Sequence, residues 1–268
     1  MPDDLFIESG AIRLAVRDFG GSGVPVVLVH GHFGNLAEYD LLGPALAQHA
    51  RVVAYDQRGQ GWSERGPVGM PEFTNDLAAV TSALGLDSPV LFGSSFGTLV
   101  CLAYVLAGGA TRGFISQDGR ASDFDDPTPR SGLETPRRVL SSTEWQAYVT
   151  AFGAVGPEGT ATALRSGIRR ADGTYEVRPR PEDTLRKEEA FVRLRVTEAY
   201  RAVPGPVLML AAEHGDSDRL KRQQELDALT ELVGAKVRWF GTGHWISAAD
   251  RAGVTAAVGE FISRIDAP

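Results

Sequence analysis

Residues 89–97 read Pro-Val-Leu-Phe-Gly-Ser-Ser-Phe-Gly, and the fold can be worked out from this stretch. Its first four residues predict a short strand buried on both faces, and residues 95–107 predict a helix. Between the two lies the pattern Gly-x-Ser-x-Gly, centred on Ser95. A sharp turn from strand to helix exposes the serine hydroxyl, and glycines suit the flanking positions because side chains there would collide. The stretch therefore predicts that Ser95 is a catalytic nucleophile.

Short apolar runs alternate with helical patterns on both sides of this stretch. The further predicted strands are residues 5–8, 11–19, 24–29, 51–56, 114–116, 206–210 and 236–240. The run Val24 to Val29 is continuous rather than alternating, which is typical of parallel strands covered on both faces. The sequence therefore predicts an α/β fold with a parallel sheet between two layers of helices.

The alternation stops in residues 120–201, which we call the insertion. It contains no clear buried strand. Its sequence predicts a helix around Thr143 to Phe152 and a hairpin turn at Asp172-Gly173. Residues 1–119 and 202–268 then form one core domain, because neither flank alone completes a sheet. Two independent domains are the alternative.

Five arginines of the insertion either recognise an acidic substrate group or form a solvated face: Arg165, Arg169, Arg170, Arg178 and Arg180.

Composition narrows the class of function. The chain has 268 residues, 43% of them hydrophobic, and a net charge of −7 with both signs interspersed. Such a chain can bury a sizeable core, and it lacks the basic face of a nucleic-acid-binding protein. The single cysteine, Cys101, excludes an internal disulfide. Without a secretory signal or a membrane-length apolar run, we expect a cytoplasmic enzyme with a small-molecule substrate and no membrane partner. The oligomeric state stays open.

His244 is the best placed of the five histidines to act as the base for Ser95. It lies in the glycine-rich loop 241–245, between the last predicted strand and the last helix. Loops at the carboxyl ends of parallel strands are where α/β folds carry their chemistry. The pattern His30-x-His32 is the competing histidine motif. It lacks the further ligands of a metallohydrolase, so no metal is predicted.

Four segments together resemble the α/β-hydrolase superfamily, in its lid-bearing serine esterase and peroxidase-like branches. They are His30-Gly31, residues 55–63 (YDQRGQGWS), the turn at Ser95, and Gly243-His244-Trp245. The resemblance covers nearly the whole chain outside the insertion. It implies an eight-stranded, mostly parallel sheet and makes the insertion a mainly helical lid.

The resemblance also implies a third catalytic residue, a carboxylate after the strand 206–210. Many relatives carry a Gly-Glu-x-Asp pattern there, whereas this chain has Ala-Glu-His-Gly at residues 212–215. A loop one residue longer makes Asp216 the expected acid, with Asp218 as the near alternative. Asp118 is the distant alternative, since some members take the acid from the preceding strand. For Asp118 the sequence favours a loop or helix cap over a catalytic role.

The oxyanion hole is expected to use backbone N–H groups. One belongs to Phe96, the residue after the nucleophile, and the second to His32 or to Phe33, with His32 favoured. Candidate apolar walls of the substrate pocket are Phe33, Trp145 and Trp245.

These residues predict hydrolysis of a small ester, thioester or lactone through an acyl-serine intermediate, with no cofactor. A carbon–carbon bond hydrolase, a perhydrolase and a cofactor-free oxygenase remain alternatives on the same fold. A non-catalytic ligand receptor is the alternative from another class.

Overall fold

The computed structural model describes residues 4–124, 139–213 and 215–265. Within them the strands are β1 (Leu5–Ser9), β2 (Ile12–Gly20), β3 (Pro25–Val29), β4 (Arg51–Tyr55), β5 (Val90–Ser94), β6 (Gly113–Gln117), β7 (Val139–Leu140), β8 (Gly167–Arg169), β9 (Tyr175–Val177), β10 (Val207–Ala212) and β11 (Lys236–Phe240). The helices are α1 (Leu42–Leu46), α2 (Met70–Ala83), α3 (Phe96–Leu106), α4 (Ser142–Gly153), α5 (Pro157–Ser166), α6 (Pro181–Arg193), α7 (Val196–Arg201), α8 (Asp216–Val233), α9 (Ile246–Ala249) and α10 (Arg251–Ile265), with a 3-10 helix at Leu36–Tyr39.

Eight strands form one sheet in the order β1-β2-β4-β3-β5-β6-β10-β11. The β1–β2 and β2–β4 pairs are antiparallel, and the other five pairs are parallel. The predicted eight-stranded, mostly parallel sheet is confirmed. The parallel strands all end at one edge of the sheet, where the loops after β3, β5, β6, β10 and β11 meet.

Helices cover both faces of the sheet, as the continuous apolar strands require. Residues 26–29 of β3 are fully buried. One apolar layer joins the sheet to α2, α3, α7 and α8, and the other joins it to α1, α9 and α10. Burial of both faces is the reason why these strands have no polar alternation in the sequence.

The described residues of the insertion contain α4 to α7 and a small antiparallel sheet in the order β7-β9-β8. The predicted turn at Asp172-Gly173 joins β8 to β9, but the small sheet itself was not predicted. Helix α7 packs against α3, and Val196 and Tyr200 are fully buried in the core. Its residues therefore contribute to the core, although the sequence placed them in the insertion.

In the part of the chain that the structure describes, no helix has the length and apolar character needed to cross a bilayer.

Candidate active site

Ser95 lies between the last residue of β5 and the first residue of α3. Its backbone has φ 50° and ψ −112°, a conformation that is costly for a residue with a side chain. Its amide donates a hydrogen bond to the carbonyl oxygen of Gln117 at 2.9 Å, which ties the turn to β6. A Cβ atom at Gly93 would lie 2.5 Å from the amide nitrogen of Thr98, and one at Gly97 would overlap the backbone at the end of β3. The local structure is the strained turn that the motif predicts.

His244 is paired with Asp118, the residue that follows β6. The Nδ1 atom of His244 lies 2.6 Å from Oδ2 of Asp118. The imidazole is half-exposed, whereas the carboxylate is only 3% exposed. The other carboxylate oxygen accepts a hydrogen bond from the amide of Ala212 at 3.4 Å and lies 3.8 Å from the guanidinium of Arg222. A carboxylate held in this way keeps the proton of the neutral imidazole on Nδ1.

The structure thus brings the distant alternative acid, Asp118, to His244. The backbone of Asp216 begins α8. The side chains of Asp216 and Asp218 lie outside the described residues. The physical reason for the pairing is the strand order: β6 and β11 flank β10, so the loops after them converge at one edge.

A cavity of 330 Å³ lies at this edge and is bounded by both the core and the insertion. Its described lining consists of Gly31, His32, Phe33, Gly34, Glu38, Ser94, Ser95, Phe96, Gln117, Glu188, Phe191, His244, Trp245 and Ser247. The proposed nucleophile, base and oxyanion-hole residues therefore share one cavity.

The three aromatic residues predicted as cavity walls have different positions. Phe33 and Trp245 line the cavity. Trp145 is 5% exposed and stacks on Tyr175, with ring centroids 4.8 Å apart, so it belongs to the core of the insertion instead. The sequence predicted the turn of the β-hairpin that supplies Tyr175, but not the packing of that hairpin against Trp145.

Polar contacts fix the loop that follows β3. Nε2 of His30 accepts a hydrogen bond from the amide of Gln57 at 2.9 Å, and Nδ1 lies 2.9 Å from the carbonyl oxygen of Gly31. Burial lowers the pKa of His30 to about 3, so this ring is a neutral structural group. The side-chain amide of Gln60 donates to the carbonyl oxygens of His32 and Gly34, each at 2.8 Å. The segment 55–63 therefore shapes the loop that carries the expected oxyanion donor.

Both ring nitrogens of His30 are engaged in these contacts, so His30-x-His32 does not present a pair of metal ligands. Among the described residues, no three His, Cys, Asp or Glu side chains are grouped to hold a metal ion.

Sequence reasoning missed several cavity residues: Glu38, Ser94, Gln117, Glu188, Phe191 and Ser247. A signal for Glu38 was present, because it interrupts an apolar stretch at residues 36–42. Glu188 has no such signal, since a charged residue on a polar helix ordinarily faces solvent.

Comparisons with known proteins agree with this architecture. The family model described as the alpha/beta hydrolase fold matches residues 24–129. A proline iminopeptidase of Heyndrickxia coagulans is 37% identical over 106 residues, which cover 37% of this chain and only 36% of that protein. A 2-hydroxy-6-oxo-2,4-heptadienoate hydrolase of Pseudomonas putida is 26% identical over 97% of this chain and 96% of its own length.

Two solved structures are similar along nearly their full length. An E-2-(acetamidomethylene)succinate hydrolase has a TM-score of 0.75 at 19% identity, covering 97% of this chain and 98% of the other. A thermophilic esterase from Thermogutta terrifontis has a TM-score of 0.73 at 21% identity, covering 99% and 100%. At these identities the two structures establish the fold.

Proposed function

We propose that the chain is a member of the α/β-hydrolase superfamily and a serine hydrolase that cleaves a small-molecule ester, thioester or lactone through an acyl-serine intermediate. The observation that carries the proposal is the 2.6 Å contact between His244 and the buried Asp118, at the cavity that Ser95 lines. A strained serine, an imidazole and a buried carboxylate are the three groups that acyl transfer needs.

Asp118 is the acid in this proposal, in place of Asp216. Its carboxylate holds the proton of His244 on Nδ1, which puts the ring's lone pair on Nε2, the nitrogen that acts as base. His244 takes the proton of Ser95 as the hydroxyl attacks the carbonyl carbon. It then returns the proton to the leaving group, and Asp118 stabilises the imidazolium formed in between. Water repeats the sequence on the acyl-serine.

Backbone N–H groups stabilise the oxyanion that forms on the substrate. Phe96 opens α3, and the first amides of a helix have no partner within it. His32 belongs to the loop that Gln60 holds, and it lines the same cavity as Ser95. Each donor contributes about 3–4 kcal/mol to the lowering of the barrier.

A carbon–carbon bond hydrolase is the second candidate. The relative from Pseudomonas putida matches along nearly its whole length and is named for an oxo-dienoate substrate, which is a carboxylate. In this chain, however, the described cavity lining contains Glu38 and Glu188 and no lysine or arginine. An anionic substrate would meet two carboxylates there, so the cavity favours the ester, thioester or lactone.

The proposal predicts that a fluorophosphonate attaches once, to Ser95. Intact mass spectrometry should show one adduct on the wild-type protein and none on Ser95→Ala or His244→Ala, with circular dichroism confirming that each variant is folded. Peptide mapping distinguishes Ser95 from Ser94, which lines the same cavity. A folded wild-type protein without an adduct would overturn the proposal and favour the oxygenase or the receptor.

A further inference from the structure

The cavity around Ser95 contains two carboxyl side chains from different parts of the fold. Glu38 belongs to the 3-10 helix after β3, and Glu188 belongs to α6 of the insertion. Within the described lining, no lysine or arginine accompanies them. Burial of two carboxylates in one cavity is costly, and a ligand of opposite charge would reduce that cost.

Glu38 is held in place by the fold. It is 8% exposed and lies over Gly34, where a Cβ atom would collide with its carboxyl group. No described lysine or arginine forms an ion pair with it. Burial raises the pKa of Glu38 to about 7, so Tyr39, Gly31 and His244, which favour the charged form, offset the loss of hydration only in part.

Glu188 brings a second carboxyl group from the insertion. Its side chain is 15% exposed, and Oε1 lies 3.7 Å from Nδ1 of His32. The preceding lysine does not compensate it within the cavity. The ammonium group of Lys187 is buried, where it bonds to the side-chain oxygen of Gln60 and lies 3.4 Å from the carbonyl oxygen of His32.

Four aromatic residues are part of the cavity lining: Phe33, Phe96, Phe191 and Trp245. Protein cations already lie near two of these rings, since Lys187 Nζ is 5.2 Å from the centroid of Phe96 and the guanidinium carbon of Arg120 is 5.4 Å from the centroid of Phe191. The faces of such rings attract organic cations, and aromatic rings combined with carboxylates form the recognised binding sites of ammonium groups.

We propose that the substrate carries a positively charged ammonium group, which Glu38 and Glu188 bind between the aromatic rings while Ser95 attacks the carbonyl carbon. This inference rests on the proposed serine hydrolase function and adds the class of substrate. An anionic substrate would be repelled by the two carboxylates. A neutral apolar substrate would gain nothing from the two carboxyl groups.

The test uses two fluorophosphonates of the same shape, one ending in a trimethylammonium group and the other in a tert-butyl group. The rate of attachment to Ser95 is measured for each by intact mass spectrometry. The charged reagent should react about tenfold faster or more, because a desolvated ammonium group gains from both carboxylates and rings.

Two variants locate the origin of the preference. Glu38→Gln and Glu188→Gln should each reduce the preference about threefold or more, as expected for the loss of one partly buried charge pair. Glu188 is on the edge of the insertion, so its variant keeps the test valid if Glu38→Gln fails to fold. Glu189→Gln is the matched control, since it removes the same charge from an exposed position of α6 and should keep the full preference.

The outcomes separate this inference from the proposed function. Equal rates for the two reagents, or a faster neutral reagent, with attachment still at Ser95, would overturn the ammonium proposal and leave the serine hydrolase intact. A preference that survives both glutamate variants would also overturn it. Attachment of neither reagent to the folded wild-type protein would overturn both.

Discussion

Ser95 and Asp118 share an uncommon backbone conformation. Their φ angles are 50° and 47°, and Ser88 is the third such residue other than glycine in the described part of the chain. A left-handed conformation at a residue with a side chain costs about 1–3 kcal/mol and is typical of functional sites. Ser95 has this conformation at the turn that lines the cavity. Asp118 has it at the position where its carboxylate contacts His244.

Ser95→Ala should therefore lose turnover and keep the fold. With a screened ester substrate, kcat should fall by about three orders of magnitude or more, since the remaining groups act only through binding and the oxyanion hole. The melting temperature should stay at or above that of the wild-type protein. Unchanged kcat would contradict the assignment of Ser95 as nucleophile.

The contribution of Glu38 to the stability of the fold depends on pH. Its pKa is 4.5 when unperturbed and about 7 in the folded chain, so between these values the folded state binds more protons than the unfolded state. Stability from Glu38 is therefore complete below pH 4.5 and is lost as the pH rises to about 7. Tyr39, the backbone of Gly31 and, to a smaller extent, His244 limit the rise of the pKa by favouring the carboxylate.

Glu38→Gln should accordingly gain stability over the wild-type protein as the pH rises. The quantity to compare is the free energy of unfolding of the variant minus that of the wild-type protein. This difference should be larger at pH 8 than at pH 4.5 by about 2–3 kcal/mol, because glutamine does not titrate. Chemical denaturation at pH 4.5, 6 and 8 measures this. A difference that is the same at all three pH values would contradict the interpretation.

Glu38→Gln is also expected to reduce the preference for the ammonium reagent. Glu38 would then be a residue that is retained for function at the expense of stability.

At the scale of elements, a buried arginine is one of the links between insertion and core. Arg165 of α5 is 5% exposed in its side chain, and its Nε atom donates to Asp56, which follows β4, at 2.8 Å. Its guanidinium also lies 2.6 Å from Asp4 and over the ring of Trp62. Neither interpretation of the arginine group from the sequence, substrate recognition or a solvated face, applies to this residue.

Arg165→Leu should lower the free energy of unfolding by about 3–5 kcal/mol, since it leaves buried carboxylates without a partner. The exposed Arg169 provides the control, and Arg169→Leu should change the free energy by less than about 0.5 kcal/mol. Urea denaturation compares the two variants. Similar small effects for both would mean that Arg165 does not join the insertion to the core.

The elements that the sequence predicted best are those with long apolar patterns. The eight core strands and the helix after Ser95 have patterns that tertiary packing reinforces. Strands β7, β8 and β9 have two or three residues each, too few for any periodicity. The small sheet they form, and with it the position of Trp145, could not be predicted for that reason.

At the scale of the whole molecule, sheet order decides which residues of the candidate site meet. Ser95 and His244 could be predicted because each follows a recognisable strand and lies in a local motif. The pairing of Asp118 with His244 depends on β6 and β11 being separated by β10 alone, which the chain order does not reveal. Glu38 and Glu188 are 150 positions apart in the chain. Their common cavity exists only once α6 lies over the core.

The rate at which a fluorophosphonate labels Ser95 in Asp118→Asn and Asp216→Asn tests the central claim most directly. If Asp118 orients and stabilises His244, Asp118→Asn should slow the labelling by about 10³-fold or more, as expected when the imidazole takes the wrong tautomer. Asp216→Asn should label within about threefold of the wild-type rate, because a substitution outside the triad has little effect on the barrier. Slow labelling of Asp216→Asn together with normal labelling of Asp118→Asn would contradict the account and make Asp216 the acid.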